Sequence, residues 1–336
     1  MGETKSAGLP EVFITAPVPE AGLDVFDGKV TWRVGPAGGP QDDEEFLRLL
    51  GNAQGCLVAG NTMAGEVIRR APALRVISRF GIGYDGVDLA AASARGIIVC
   101  NAPTSPAEAT ADLTFALLLA TARQIPQAHL YTRSGEWSRR RTPPPLTSEV
   151  YGRTLGLIGF GRIGRAVARR AVGFGMKVLY SDPVAAPQVE AQLGAKRVAL
   201  AELLWEADFV SLHVPLSEQT RGLIGADELA RMKHEAILIN ASRGPVVDQA
   251  ALCEALRVQR IAGAGLDVYE EEPAPADCPL FELENVVLTP HIGSATYATR
   301  VLMAREAAEN IVAALVDDKP RNVVNPEVLT RPSAGG

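Results

Sequence analysis

The chain has few of the residues from which disulfide frameworks and metal centres are built. Its 336 residues include 4 cysteines and 4 histidines, and no two cysteines form a C-x-x-C pair. A chain of this length can bury a sizeable core without disulfides. The scattered cysteines therefore predict a reducing, cytoplasmic compartment and no metal site. They are Cys56, Cys100, Cys253 and Cys278.

Long apolar runs and basic clusters are also scarce. The most apolar stretch, residues 109–122, contains Asp112 and is too short to span a bilayer, so we expect a core helix there. Residues 1–6 lack the apolar segment of a secretion signal. The one basic cluster, residues 139–141, runs into a proline-rich loop, and the formal net charge is -6. The sequence therefore predicts neither a nucleic-acid partner nor a membrane partner.

What the chain does contain is a regular alternation of short apolar, β-branched runs with helical patterns. This alternation is typical of parallel sheets with crossover helices, and it occurs as two successive series. The first series comprises residues 12–14, 30–32, 55–58, 74–78 and 97–99, and the second comprises residues 154–158, 177–181, 208–212, 236–239, 263–268 and 286–288. The length also favours two domains.

One glycine-rich segment, Gly159-Phe160-Gly161-Arg162-Ile163-Gly164, lies between the strand at 154–158 and a helical pattern. The first glycine permits a tight turn, the second allows close approach of a pyrophosphate, and the third lets the helix pack on the strand. Asp182 ends the next strand, where a carboxylate can bind both hydroxyls of an adenosine ribose. The segment therefore predicts a Rossmann dinucleotide-binding domain that uses NAD.

We accordingly predict an α/β protein with two doubly wound parallel-sheet domains. The Rossmann domain spans residues 103–294. The other domain is flavodoxin-like and discontinuous, with residues 1–102 joined by residues 295–330, because a helix over about 294–316 returns the chain to it. A second helix, over 106–123, links the two, with Ser105 and Glu108 able to form a capping box. Residues 331–336 are predicted to be a frayed tail.

A cofactor that carries hydride needs a general acid or base nearby, and the four histidines are the first candidates. His129 and His234 lie in polar surroundings and are predicted to be surface residues. His213 ends a strand of the Rossmann domain and is interpreted as a structural or cofactor-packing residue. His291 follows a strand at its carboxyl end, where open α/β sheets bind ligands, so it is the predicted acid or base.

Two charged residues could assist His291. Arg243 also follows a strand; it is either a surface charge or an anchor for a carboxylate, which a planar guanidinium grips with two hydrogen bonds. Glu272 ends an acidic run before Pro273. It is either a solvated charge or the partner that orients His291 and stabilises its protonated form.

Several motifs together make the chain resemble the D-isomer-specific 2-hydroxyacid dehydrogenase family. The resemblance runs from about Ser78 to Val324. It rests on Gly81-Ile82-Gly83-Tyr84-Asp85, on Gly159–Gly164, on Asn240–Asp248, on Gly265–Pro273 and on Thr289–Ser294.

The resemblance implies specific roles. Arg243, Glu272 and His291 would form a catalytic triad, with His291 as the acid in reduction and the base in oxidation. Asp267 would bind the nicotinamide carboxamide. The predicted cofactor-binding residues are Thr110, Gly159, Gly161, Arg162, Ile163, Gly164, Asp182, His213, Val214, Pro215, Thr220, Ala241, Ser242, Arg243, Asp267, His291, Gly293 and Ser294. The predicted substrate-binding residues are Arg79, Ile82, Gly83, Arg243 and His291, the Ile82 and Gly83 N–H groups binding the substrate carboxylate.

The substrate and the class of function stay open at this point. Some motifs are similar to glyoxylate/hydroxypyruvate reductases and others to 3-phosphoglycerate dehydrogenases, for which Arg79 is a candidate phosphate ligand. The main prediction is an NAD-dependent enzyme that interconverts a 2-keto acid and a D-2-hydroxy acid, as a homodimer. The alternatives are a dehydrogenase for formate, phosphite or a phosphonate, and an NAD(H)-sensing protein related to transcriptional corepressors.

Overall fold

A computed structural model describes residues 8–139 and 146–330. The chain divides into two compact units: one contains the residues up to Pro106 and those from Ser294 onwards, and the other is Ala107–Gly293. The predicted tail at 331–336, the segment 1–6 and most of the basic cluster at 139–141 lie outside the described residues.

The helices and strands follow one another in chain order. The first unit begins with β1 (Glu11–Ile14), β2 (Thr31–Val34), α1 (Asp43–Leu50), β3 (Gly55–Val58), α2 (Gly65–Arg70), β4 (Val76–Arg79), α3 (Leu89–Ala94) and β5 (Ile98–Cys100). The second unit comprises α4 (Ala107–Ala122), α5 (Ile125–Arg133), α6 (Glu136–Arg139), β6 (Thr154–Ile158), α7 (Arg162–Gly173), β7 (Lys177–Ser181), α8 (Pro187–Leu193), β8 (Lys196–Arg197), α9 (Leu200–Glu206), β9 (Phe209–Leu212), α10 (Ala226–Arg231), β10 (Ile237–Asn240), α11 (Gln249–Arg257), β11 (Gly263–Leu266) and β12 (Val286–Leu288). The first unit resumes with α12 (Tyr297–Leu315). Short 3-10 helices occur at Glu20–Gly22, Asp24–Phe26, Gly244–Val246, Pro279–Glu282 and Pro326–Thr330.

The first unit is a parallel sheet of order β2-β1-β3-β4-β5, the flavodoxin-like order. Helices α1 to α3 contribute to the core on one face, and α12 packs on the other through Ala304, Ala308 and Ile311. A side chain at Gly22 would overlap the backbone of α12, so this glycine is needed for the close packing. Because α12 completes the core, the unit is discontinuous, as predicted.

The second unit is a parallel sheet of order β12-β11-β10-β9-β6-β7-β8, which contains the Rossmann order. Helices α4 and α7 contribute to the core on one face and α9 to α11 to the core on the other. Strand β8 was not predicted from the sequence. It consists of two exposed basic residues, so it carries no apolar run that could have identified it.

Helix α4 begins without the predicted capping box. Ser105 donates its hydroxyl to the Glu306 carboxylate at 2.7 Å instead. Glu108 and Asp112 accept hydrogen bonds from Arg170 of α7, at 2.9 and 2.6 Å. The capping prediction is therefore wrong, because bonds with distant residues take up these side chains. Within the described ranges, no helix combines the length and apolarity needed to cross a membrane.

Candidate active site

The glycine-rich turn between β6 and α7 is tightly packed at its two outer glycines and open at the middle one. Gly159 has a φ of +93°, and a Cβ there would lie 2.6 Å from the His213 carbonyl oxygen. A Cβ at Gly164 would overlap the Gly159 carbonyl oxygen. At Gly161, by contrast, a Cβ would meet no described atom beyond its chain neighbours within 4 Å. The outer glycines are needed for packing, and the middle one leaves open space at the N-terminus of α7.

Asp182 is held beside this turn by two main-chain hydrogen bonds. Its Oδ2 accepts from the Phe160 N–H at 2.7 Å, and its Oδ1 accepts from the Val184 N–H at 2.8 Å. The nearby guanidinium of Arg197 donates to the carbonyl oxygens of Asp182 and Pro183. Asp182 therefore fixes the glycine-rich turn in addition to the ribose-binding role predicted from the sequence.

His213 follows β9 and is a neutral residue at physiological pH. Burial lowers the pKa of its imidazole to about 3. Its Nε2 lies 2.9 Å from the Ser211 hydroxyl, and its buried Nδ1 has no hydrogen-bond partner among the described atoms. A histidine with this pKa cannot serve as an acid near neutral pH, which agrees with its interpretation as a packing residue.

Most of the other predicted cofactor residues of the second unit lie in its helices or in the loops after its strands. Arg162 and Ile163 begin α7, and Thr110 is buried in α4. Thr220 donates to the Pro215 carbonyl oxygen at 2.6 Å and so closes the turn that begins with Val214. The remaining positions follow the carboxyl ends of β10, β11 and β12: they are Ala241, Ser242, Asp267 and Gly293, with Ser294 the first residue of the next segment.

The structure brings Glu272 and His291 together. His291 Nδ1 lies 2.5 Å from Glu272 Oε2. In the neutral imidazole, Nδ1–H then donates to the carboxylate, and Nε2 is left as the basic nitrogen. The His291 side chain is 48% exposed, so a small molecule can reach it.

Charges and hydrogen bonds around Glu272 favour its ionised form. Burial alone would raise the pKa of this carboxyl. The hydrogen bond and charge of His291, the Tyr269 N–H at 3.1 Å and the charge of Arg243 together hold the pKa below its ordinary value. Glu272 is therefore ionised at neutral pH and can stabilise a protonated His291.

Arg243 is fixed by the turn that follows β10. Its Nη1 donates to the Ser242 carbonyl oxygen at 2.7 Å, and Asn240 Nδ2 donates to the Arg243 carbonyl oxygen at 2.9 Å. A Cβ at Gly244 would overlap the carbonyl group of Tyr269. Only glycine therefore allows the turn after β10 to lie against the turn after β11 that leads to Glu272.

Asp267 anchors the loop that carries His291, a role that the sequence analysis missed. Its side chain is buried and accepts hydrogen bonds from the Thr289 hydroxyl (2.6 Å) and from the N–H groups of Ile292 and Gly293 (both 2.8 Å). The His291 N–H donates to the Asp267 carbonyl oxygen at 2.9 Å, and His291 has a φ of 51°. The one feature of the sequence that could have indicated this role is the position of Asp267 directly after an apolar strand.

The predicted substrate residues Arg79, Ile82 and Gly83 lie in the first unit, at the end of β4 and in the following loop. Arg79 Nε donates to the Gly83 carbonyl oxygen at 3.2 Å, and its Nη1 donates to the Asn61 carbonyl oxygen at 2.6 Å. The arginine is thus bound to the main chain and is not a simple surface charge.

Comparison with known proteins agrees with this geometry. A model of the D-isomer specific 2-hydroxyacid dehydrogenase NAD-binding domain matches residues 115–293. A glyoxylate reductase from Korarchaeum cryptofilum is 46% identical over 322 residues, which are 95% of this chain and 97% of the relative.

Solved structures show the same similarity. A protein from Thermus thermophilus is 43% identical, with a TM-score of 0.85 over 94% of this chain and 99% of that one. The NADPH-dependent glyoxylate/hydroxypyruvate reductase of Sinorhizobium meliloti, in complex with NADP and malonate, is 32% identical. Its TM-score is 0.84 over 94% of this chain and 96% of that one.

Proposed function

The chain belongs to the D-isomer-specific 2-hydroxyacid dehydrogenase family, and on that basis we propose that it reduces small, unphosphorylated 2-keto acids such as glyoxylate and hydroxypyruvate. Membership makes it an oxidoreductase that uses a nicotinamide dinucleotide and acts on a CH–OH group. The observation that carries the proposed chemistry is the His291–Glu272 pair at 2.5 Å.

We propose that His291 exchanges the proton of the reacting oxygen. When bound, the reduced nicotinamide supplies the hydride that reaches the keto carbon. Nε2 of the protonated His291 donates to the carbonyl oxygen in reduction and takes the hydroxyl proton in oxidation, while Glu272 stabilises the imidazolium. Arg243 binds the substrate carboxylate and polarises the carbonyl group.

We further assign the cofactor to the unit Ala107–Gly293, and we propose that the first unit supplies further donors to the substrate carboxylate. The open space at Gly161 supports the first assignment. The loop at Ile82 and Gly83 supports the second, since its N–H groups are natural donors to an anion. We propose a cytoplasmic location, because all four cysteines are free and buried.

Substrate choice is tested with a panel of keto acids. We expect glyoxylate or hydroxypyruvate to be reduced with a kcat/KM at least equal to that of 3-phosphohydroxypyruvate, because two donors of Arg79 are bound to main-chain carbonyls. Loss of nicotinamide absorbance measures the rates. A phosphorylated substrate better by about tenfold, with the advantage abolished in Arg79→Ala, would establish a phosphoglycerate dehydrogenase instead.

Cofactor preference is predicted from Asp182. A carboxylate at this position repels a 2′-phosphate, so we expect a higher kcat/KM with NADH than with NADPH. Asp182→Asn is the sharper variant, because it removes the charge and keeps an oxygen that can accept the Phe160 N–H. The NADH advantage should shrink by about an order of magnitude. A wild-type protein that prefers NADPH on the same keto acid contradicts this prediction.

We propose a homodimer formed through the cofactor units. Large apolar side chains of this unit are exposed, among them Leu130, Trp137, Leu146 (97%) and Tyr151 (73%), and no residue of α5 is buried. A contiguous exposed apolar patch marks an interaction surface, and we propose that these side chains contribute to one. We expect an interface above about 2,000 Å² and a dimer by light scattering. A fully active monomer at micromolar concentration is the contrary result.

A further inference from the structure

In the loop that follows β4, three consecutive carbonyl groups each accept a hydrogen bond that holds the loop in place. The Gly81 carbonyl oxygen accepts from the Ala102 N–H at 2.8 Å. The Ile82 carbonyl oxygen accepts from Asn101 Nδ2 at 2.7 Å, and the Gly83 carbonyl oxygen accepts from Arg79 Nε at 3.2 Å. Each of these three carbonyl groups is therefore fixed by a donor that lies outside the loop or, in the case of Arg79, at the start of it.

Fixing these carbonyls also fixes the direction of the N–H groups that follow them. The peptide bonds of the loop are trans, so each N–H points away from the carbonyl of the same peptide unit. The N–H groups of Ile82, Gly83 and Tyr84 consequently face away from Ala102, Asn101 and Arg79, respectively. Among the described residues, none of these three N–H groups has a hydrogen-bond acceptor. Three successive donors are thus held ready for an anion.

Asn101 is itself fixed by a buried polar network. Its main-chain carbonyl oxygen accepts from Asn310 Nδ2 at 2.8 Å, and Asn310 Oδ1 accepts from Asn322 Nδ2 at 3.0 Å. Asn310 is fully buried in α12. Asn310 thus holds the main chain at Asn101, and this fixes the position from which the Asn101 side chain reaches the Ile82 carbonyl.

We propose that Arg79 and Asn101 are positioning residues for substrate binding. They orient the loop so that the N–H groups of Ile82, Gly83 and Tyr84 meet the substrate carboxylate, and neither needs to touch the substrate. This inference rests on the proposed function. It gives Arg79 a role in the binding of unphosphorylated substrates. Preorganised main-chain donors of this kind lose their value when the loop moves by about 1 Å.

Two matched controls test the arginine and the asparagine separately. Arg95 is also half-buried in the first unit and donates to the carbonyl oxygens of Ile68 and Ala71, away from the loop. Asn325 is also buried and bridges main-chain groups, donating to the Ile97 carbonyl oxygen and accepting from the Val99 N–H. Arg95→Ala and Asn325→Ala therefore remove similar bonds without touching the loop.

The measurements are keto-acid kinetics and the binding of oxamate, an unreactive 2-keto acid analogue, to the NADH-loaded enzyme by calorimetry. In Arg79→Ala and Asn101→Ala we expect the KM for glyoxylate and the Kd of oxamate to rise about tenfold or more. The Kd of NADH should be unchanged. Arg79→Lys should recover little, since a single ammonium cannot replace the fork that binds two carbonyls. Arg95→Ala and Asn325→Ala should keep wild-type KM and Kd values.

Equal oxamate affinity in the wild type and in folded Arg79→Ala overturns the proposal, and so does an equal loss in the control variants. If Arg79→Ala does not fold, as judged by circular dichroism, Arg79→Lys and Asn101→Ser take its place. Failure of the proposed function is a separate result: the wild type would reduce no keto acid, yet its oxamate affinity would still depend on Arg79 and Asn101. A wild type that does not bind oxamate overturns both.

Discussion

Replacing His291 by alanine is expected to lower kcat for keto-acid reduction by about two to four orders of magnitude, the range of positioned acid–base catalysis. The affinity for NADH should stay nearly unchanged, because the glycine-rich turn and Asp182 lie on other strands. Single-turnover kinetics and fluorescence titration with NADH separate the two quantities. Turnover close to the wild-type value in this variant would remove His291 from the proposed role.

Glu272→Gln tests whether the carboxylate of Glu272 assists His291. In this variant the protonated imidazole loses its stabilising negative charge, so the rate of reduction should fall by an amount that depends on pH. In the wild type, the depressed pKa of Glu272 keeps the carboxylate ionised through the ordinary range of glutamate titration. The pair therefore adds to the free energy of unfolding at pH values above the ordinary glutamate range. This contribution is lost only as the pH falls through the lowered pKa of Glu272. A rate deficit independent of pH would contradict the assignment.

Arg243→Ala is expected to lower kcat/KM by about two to four orders of magnitude. Truncating one partner of a close charge pair costs about 2–5 kcal/mol, and about 1.4 kcal/mol corresponds to a factor of ten. Arg243→Lys should recover only part of the loss, because an ammonium cannot make the two parallel hydrogen bonds of a guanidinium to a carboxylate. Steady-state kinetics with glyoxylate measure both effects.

Arg257 provides the control for Arg243. It is an exposed arginine of the same unit, paired with Glu254 at 3.0 Å one helical turn away. Arg257→Ala should leave both kcat/KM and the affinity for NADH unchanged. If Arg243→Ala binds and reduces glyoxylate as well as Arg257→Ala does, the substrate carboxylate is held elsewhere.

Most of the strands could be predicted from the sequence because strands buried on both faces form continuous apolar runs. Strand β8 could not, since Lys196 and Arg197 form an exposed edge strand that is defined only by its pairing with β7. Elements of a first kind have a local apolar pattern and can be predicted from the sequence. Elements of a second kind form only by pairing with a neighbouring strand and cannot. The central strands of both parallel sheets belong to the first kind.

The candidate site shows the same division. Glu272 and His291 could be proposed because each follows a recognisable strand, and the structure brings them within hydrogen-bonding distance. The anchoring role of Asp267 could not, because it depends on a loop that approaches from the end of a different strand. The overlap that a side chain at Gly244 would produce also involves a distant turn. Sequence patterns identify the ends of elements, and long-range contacts decide which of these ends meet.

The return of the chain to the first unit has a consequence for biosynthesis. Residues Ala107–Gly293 are continuous, so this unit can fold once its last strand has left the ribosome, since domains generally fold as units during synthesis. The first unit lacks α12 and Asn325 until synthesis has passed residue 325. One face of its sheet stays uncovered during that time. The domain whose synthesis begins first is therefore the last to be completed.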